Sequence, residues 1–258
     1  DAIAPAHPPA PRLDRKAVGA VVLGNALEFY DFTVYAFFAK AIGEAFFPAS
    51  DASHSLLASL ALFGVGYVMR PIGGAMIGAL ADRAGRKPAM LVTIALMALG
   101  MLMLAACPGY AQIGGWAQAI VIAGRLIQGL ALGGEVGPST AYLLEAAPPR
   151  HRGFVTSWQI ASQGCAALFA GLLATGLALT VGDAAMAQWG WRVMFLVGLA
   201  VVPVGLIIRS HLPETGGAEA DPRAAASTGA VIRRLLRDHG RLLALTFLVV
   251  AASTVSNA

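Results

Sequence analysis

Two acids, Glu28 and Asp31, lie three residues apart inside an otherwise apolar run, and two arginines, Arg70 and Arg125, interrupt two further apolar runs. A charge at the centre of a bilayer costs at least about 2.5 kcal/mol on insertion scales, so charges retained there face one another or a wet cavity. Tyr35 follows Asp31 by one helical turn and shares its face. Arg125, Gln128 and Glu135 recur at helical spacing along a third run, and Gln159, Ser162 and Gln163 along a fourth. The chemistry such groups can do is anion capture with proton transfer. A guanidinium stays charged and holds a carboxylate through two parallel hydrogen bonds. A membrane-buried carboxylate beside an arginine switches between charged and neutral forms on small changes in surroundings.

The candidate substrate contacts are therefore Arg125, Arg70, Asn25, Tyr35, Gln128, Gln159, Ser162 and Gln163. The candidate proton-coupling groups are Asp31, Glu28, Arg125 and Glu135. Each has a plainer alternative. The arginines can lock the fold by neutralising acids on neighbouring helices, and Pro71 with Gly73-Gly74 beside Arg70 suits tight helix contact or gating. The glutamines and Ser162 can act as interhelical glue, and Gly129, Gly133 and Gly134 predict close helix approach.

The elements that must position these residues follow from composition. Apolar residues make up 57% of the 258 and charged residues 12%, with a mean hydropathy of +0.70. Soluble domains carry about twice that charge. The apolar runs predict membrane helices over about 17–39, 55–80, 88–107, 116–145, 153–181 and 192–210. A proline-rich tail with a basic end occupies 1–16. A loop with Lys40, Glu44, Pro48 and Asp51 is expected between the first two helices. A polar linker spans 211–241, and 242–258 opens a seventh helix that the chain cuts short. The fold class is thus all-α and membrane-embedded: a six-helix first half of a six-plus-six protein, with the substrate expected near the midplane between halves.

With the first residues placed inside the cell, all 18 Lys and Arg fall on the cytoplasmic side except Lys40, Arg192 and the two intramembrane arginines. That asymmetry sets the orientation. The basic residues lie between apolar runs rather than in one patch, which argues against nucleic acid. Cys107 and Cys165 read as small buried hydrophobes, and His7, His54, His151, His211 and His239 fall in loops or tails, so neither a metal, a cofactor nor an enzyme centre is expected.

Between the second and third apolar runs lies Gly78-Ala79-Leu80-Ala81-Asp82-Arg83-Ala84-Gly85-Arg86-Lys87. Asp82 can accept bonds at a helix end, and Arg83, Arg86 and Lys87 can pair with Glu145 across the cytoplasmic face. Such contacts would form a gate with Gly78, Gly85 and Arg152. The alternative is that the cations only set topology.

This turn resembles the loop between helices two and three of the major facilitator superfamily. Asn25 to Phe32, Met69 to Gly74, Gly124 to Gly129 and Gly133-Gly134-Glu135 resemble motifs of its metabolite:proton symporter branch. Pro138, Tyr142, Glu145, Pro148, Arg152 and Gly153 resemble the helix-four-to-five motif shared with sugar porters, and Trp189 to Arg192 and Leu212 to Thr215 resemble the ends around helix six. Thr156 to Gln159, Ala161-Ser162-Gln163 and Phe63 to Gly73 look most like citrate–proton and tricarballylate symporters. Phe29-Tyr30 and Gly164-Cys165 depart from that pattern. The resemblance implies proton-coupled import of an organic acid, with Asp31 and Arg125 at the coupling positions. It implies a bacterial inner-membrane protein whose partners are a small organic acid, protons and the lipid bilayer, working as a monomer. A symporter of proline, betaine, ketoglutarate or shikimate, and a non-transporting sensor of the same fold, are the other readings.

Overall fold

The computed structural model describes residues 15–49 and 51–210, with 237 and 240 as isolated helical positions. The linker and seventh helix expected from the sequence lie almost wholly outside these residues. Two compact units divide the chain, 1–218 and 219–258. Among the described residues of the first, six long helices carry the fold: α1 (Arg15–Phe46), α2 (Ala52–Ala84), α3 (Arg86–Ala106), α4 (Gly115–Ala146), α5 (Arg152–Val181) and α6 (Trp191–Ser210). There is no strand among the described residues.

Punctuation explains the breaks. Asp51 caps α2, its carboxylate accepting from the Ser53 N–H at 3.0 Å. Gly85 alone separates α2 from α3, with φ of 100°. Residues with a side chain rarely adopt that conformation, and here it reverses the chain within one residue. The Gly85 N–H closes α2 onto the Ala81 carbonyl at 3.0 Å. Gly182, at φ 83°, ends α5 in the same way.

The helices run longer than the apolar stretches. Lys40 and Glu44 belong to α1, not to a loop, and face each other one turn apart at 4.0 Å. Charge ends an apolar run without ending a helix, because a side chain past the hydrocarbon core is solvated while the backbone ladder continues. The helix bends at Phe38, whose φ and ψ are −107° and 16°.

Among the described residues, five segments, Ser53–Ala84, Arg86–Ala106, Gly115–Glu145, Pro149–Val181 and Asp183–Ile207, are long and apolar enough to cross a membrane. The fully long α1 is not among them, and it carries Asn25, Glu28 and Asp31 in its middle. These three are buried within the bundle, where α1 packs on α2, α5 and α6. The most extensive packing is α2 on α4, followed by α3 on α4. Trp191, Phe195, Met101, Ile42 and Phe46 fill the main core. Many large apolar side chains instead point outward, including Val68 and Met76 on α2 and Ile160, Leu168 and Leu179 on α5. Hydrocarbon suits such faces; water does not.

Glycines let α2 and α4 touch. A Cβ added to Gly133 would strike the Arg70 carbonyl, one on Gly129 the Gly66 carbonyl, and one on Gly73 the Leu130 carbonyl. The two cysteines differ from expectation: Cys107 is buried, but Cys165 is exposed on α5, the least buried of the spanning helices. Burial also pushes the Cys107 thiol pKa up, leaving Cys165 as the accessible thiol.

Candidate functional site

The middle of α1 and the first half of α4 bring Asp31 and Arg125 together. The Arg125 Nη1 donates to Asp31 Oδ2 at 3.0 Å, with the two side chains 6% and 4% exposed. Gln128, one turn along α4, donates from Nε2 to the other Asp31 oxygen at 3.1 Å. Beneath the guanidinium lies the Tyr35 ring, 3.8 Å from its carbon to the ring centre. The Tyr35 hydroxyl is engaged by Ser59 on α2, at 2.8 Å from its carbonyl and 2.9 Å from its Oγ. Asp31 thus has both oxygens occupied, whereas Arg125 does not have all its donors used. Its Nε and Nη2 are buried with no hydrogen-bond partner, as is Gln128 Oε1. A buried unpaired donor costs about 1–3 kcal/mol, more when charged.

A pocket of about 30 Å³ opens beside the pair, lined by Glu28, Asp31, Arg70, Arg125, Gln128 and neighbouring apolar and aromatic groups. That volume holds one or two waters. Its wall is a feature the sequence reading missed: Phe63 stacks on Tyr35 with centroids 5.2 Å apart, and meets Tyr67 at 5.7 Å and Phe32 at 4.5 Å. Arg70 caps the far end, its guanidinium carbon 3.8 Å from the Tyr67 ring centre. The i, i+4 spacing of Phe63 and Tyr67, with Arg70 three residues on, was the available signal.

Other predicted residues are placed elsewhere. Glu135 is buried, but against α3: the Thr93 hydroxyl bonds one carboxylate oxygen, and Ser139 donates to the other at 2.8 Å. It does not line the pocket, because it projects onto α3 two turns beyond Gln128. Asn25 and the α5 residues form a separate layer. Asn25 Nδ2 donates to the Gln159 carbonyl and to Ser162 Oγ, both at 2.8 Å, and Thr140 on α4 donates to Gln159 Oε1 at 3.1 Å. Gln163 is half-buried. The candidate polar residues of α1, α2, α4 and α5 therefore fall in two layers, with those of α5 confined to the second.

At the Gly78–Lys87 turn, Arg86 is the connecting cation. It donates from Nη1 to Asp82 at 3.1 Å and from Nη2 to Glu145 at the end of α4 at 3.4 Å. Lys87 is half-buried and has its own contact. Arg83 and Arg152 are exposed. Gly78 has open space where a Cβ would stand.

Comparison with known proteins matches residues 16–217 to the family described as sugar (and other) transporter. The citrate-proton symporter of Salmonella typhi is 43% identical over 199 residues, 77% of this chain and 46% of that protein. The α-ketoglutarate permease of Escherichia coli K12 is 38% identical over 220 residues, covering 84% and 50%. The proline/betaine transporter of the same strain is 38% identical over 202 residues, covering 78% and 40%. The chain spans about half the length of these relatives. Among solved structures, the major facilitator proton:xylose symporter XylE bound to 6-bromo-6-deoxy-D-glucose superimposes with a TM-score of 0.69 at 20% identity, over 77% of this chain and 44% of that one.

Proposed function

This chain belongs to the sugar (and other) transporter family of the major facilitator superfamily, and from that premise we propose that it serves a proton-coupled symporter importing an organic acid, citrate or a related di- or tricarboxylate. The observation that carries this reading is Arg125: held by Asp31 through one nitrogen, with two further donors buried and unpartnered. A carboxylate accepting from both would relieve that cost in bidentate geometry. When substrate takes the arginine, Asp31 loses its counter-charge in a region of low dielectric and accepts a proton. When the proton leaves, the Asp31–Arg125 pair re-forms and the substrate is released. The pocket of about 30 Å³ admits a carboxylate but not a whole citrate. The body of the substrate would lie between this bundle and a second half, as in alternating access by rocking halves.

The test is competition and coupling. Excess citrate is expected to suppress labelled citrate uptake and excess betaine to leave it unchanged, and a protonophore is expected to abolish accumulation. Suppression by betaine or proline would favour the zwitterion reading, and uptake indifferent to the proton gradient would remove the coupling.

The orientation we propose puts the Gly78–Lys87 turn in the cytoplasm of a bacterial cell, within the inner membrane. Arg86 then ties the ends of α2 and α4 when the site is closed on that side. Its bonds are partly exposed, so they contribute no more than about 1 kcal/mol. Arg86→Ala is accordingly expected to leave detergent melting nearly unchanged, yet to shift the balance toward the cytoplasm-open state about two- to fivefold, because that energy bears directly on a two-state equilibrium. Labelling of a cysteine placed in the cytoplasmic cleft reads the shift.

A further inference from the structure

Asp31–Arg125 accounts for one acid and one arginine of the pocket, and a second set remains. Glu28 lies one helical turn before Asp31, is 4% exposed and lines the same pocket. Arg70 lines it too, half-buried and with its Nε unpartnered. The Arg70 and Arg125 guanidiniums cap opposite ends of one aromatic row, Arg125 on Tyr35 and Arg70 on Tyr67, with Phe63 between. The ionisable groups lining the pocket are those four plus the Tyr67 phenol, with Tyr35 against the Arg125 guanidinium. At rest its formal charge is zero.

We propose that Glu28 and Arg70 form a second releasable pair, so that a substrate with two carboxylates occupies both arginines and is carried with two protons. This rests on the reading of Asp31 and Arg125 given above. The balance of charge supports it. A dianion entering the resting site brings two negative charges into a medium that tolerates none unpaired. If each arginine turns from its acid to a substrate carboxylate, both acids lose their partner. One proton on Asp31 and one on Glu28 return the site to zero. With a single proton the loaded site would keep a net negative charge while crossing between states. Arg70 becomes the residue that distinguishes diacids from monoacids, because it alone meets the second carboxylate.

The test uses the full-length transporter in liposomes, with the membrane potential clamped at zero and labelled α-ketoglutarate as probe. One proton moving down one pH unit supplies a factor of about ten in concentration. The wild type is expected to accumulate probe about 100-fold per pH unit, and Glu28→Gln about 10-fold, by that relation. Counterflow exchange, which needs no net proton movement, is expected to persist in Glu28→Gln and reports its folding. Should exchange be lost, the double variant Glu28→Gln/Arg70→Gln, which removes both charges together, is expected to restore it, with about 10-fold accumulation and a preference for pyruvate over α-ketoglutarate. A Glu28→Gln protein that keeps 100-fold accumulation, a wild type limited to 10-fold, or a double variant with no exchange or an unchanged diacid preference overturns the second pair. If the wild type shows no proton-driven uptake at all, or Asp31→Asn stays coupled, it is the Asp31–Arg125 reading that fails instead.

Discussion

Asp31→Asn is expected to abolish proton-driven accumulation, a loss of about 100-fold or more, while counterflow exchange continues. Asparagine keeps one oxygen for the Arg125 Nη1, and its NH2 takes the place of the Asp31 oxygen that accepts from Gln128, where a turn of the Gln128 amide presents the now unpartnered Oε1 to accept from it. The local geometry therefore survives. The charge does not: Arg125, 6% exposed, would sit without its counter-ion. Breaking a buried pair by removing one partner costs about 3–5 kcal/mol, which corresponds to a factor of about 10²–10⁴. Arg125 then recovers an anion only from the substrate, so the loaded state is favoured and the empty return step, which needs the pair re-formed, is blocked. Exchange of labelled for unlabelled substrate requires no empty return. Accumulation that persists in Asp31→Asn under a pH gradient would sink the coupling role, and loss of exchange along with accumulation would show that the carboxylate serves the fold.

The second large effect concerns a residue that touches no substrate. Gly133→Val is expected to prevent recovery of folded protein, with no monodisperse peak on fluorescence size-exclusion of the detergent-solubilised chain. The obstruction is backbone: a Cβ on Gly133 collides with the Arg70 carbonyl and Cα, which cannot rotate away as a side chain can. Gly129 opposes Gly66 in the same manner one turn earlier. Overpacking ordinarily costs about 1–3 kcal/mol, and here the whole α2–α4 contact would have to part. Without a hydrophobic drive between helices in lipid, that close packing is much of what holds them. Gly78→Ala serves as the contrast, since a Cβ there meets nothing within 4 Å and folding should be unaffected. A well-folded Gly133→Val protein would mean that the helices can separate at little cost.

Much of this was legible without coordinates. Apolar runs of spanning length, separated by Asp51, Gly85 and the Pro148-Pro149 turn, imply the helices because a bilayer leaves the backbone no other way to satisfy itself. Desolvation required only that Asp31 and Arg125 turn away from lipid; that these two belong together was implied by the family resemblance. Where the reading went astray, the cause was local ambiguity. Lys40 and Glu44 marked the end of hydrocarbon and were read as the end of a helix. Cys165 lies in an apolar run that happens to turn one face outward. Beyond Gln163 that run is almost wholly apolar and carries little record of which face is inside, so periodicity could not distinguish Cys165 from Cys107.

By itself, then, the amino-acid order determined the class of molecule, the helices and the identity of the charges that had to be neutralised, since desolvation acts on each residue whatever its neighbours. Which charges meet was settled by rotation and register. Gly66, Gly73, Gly129 and Gly133 draw α2 against α4, and that approach sets Arg70 beside the aromatic row and turns Glu135 toward Thr93 on α3. A helix fixes the angle between its own side chains, but only packing fixes which neighbour each angle finds.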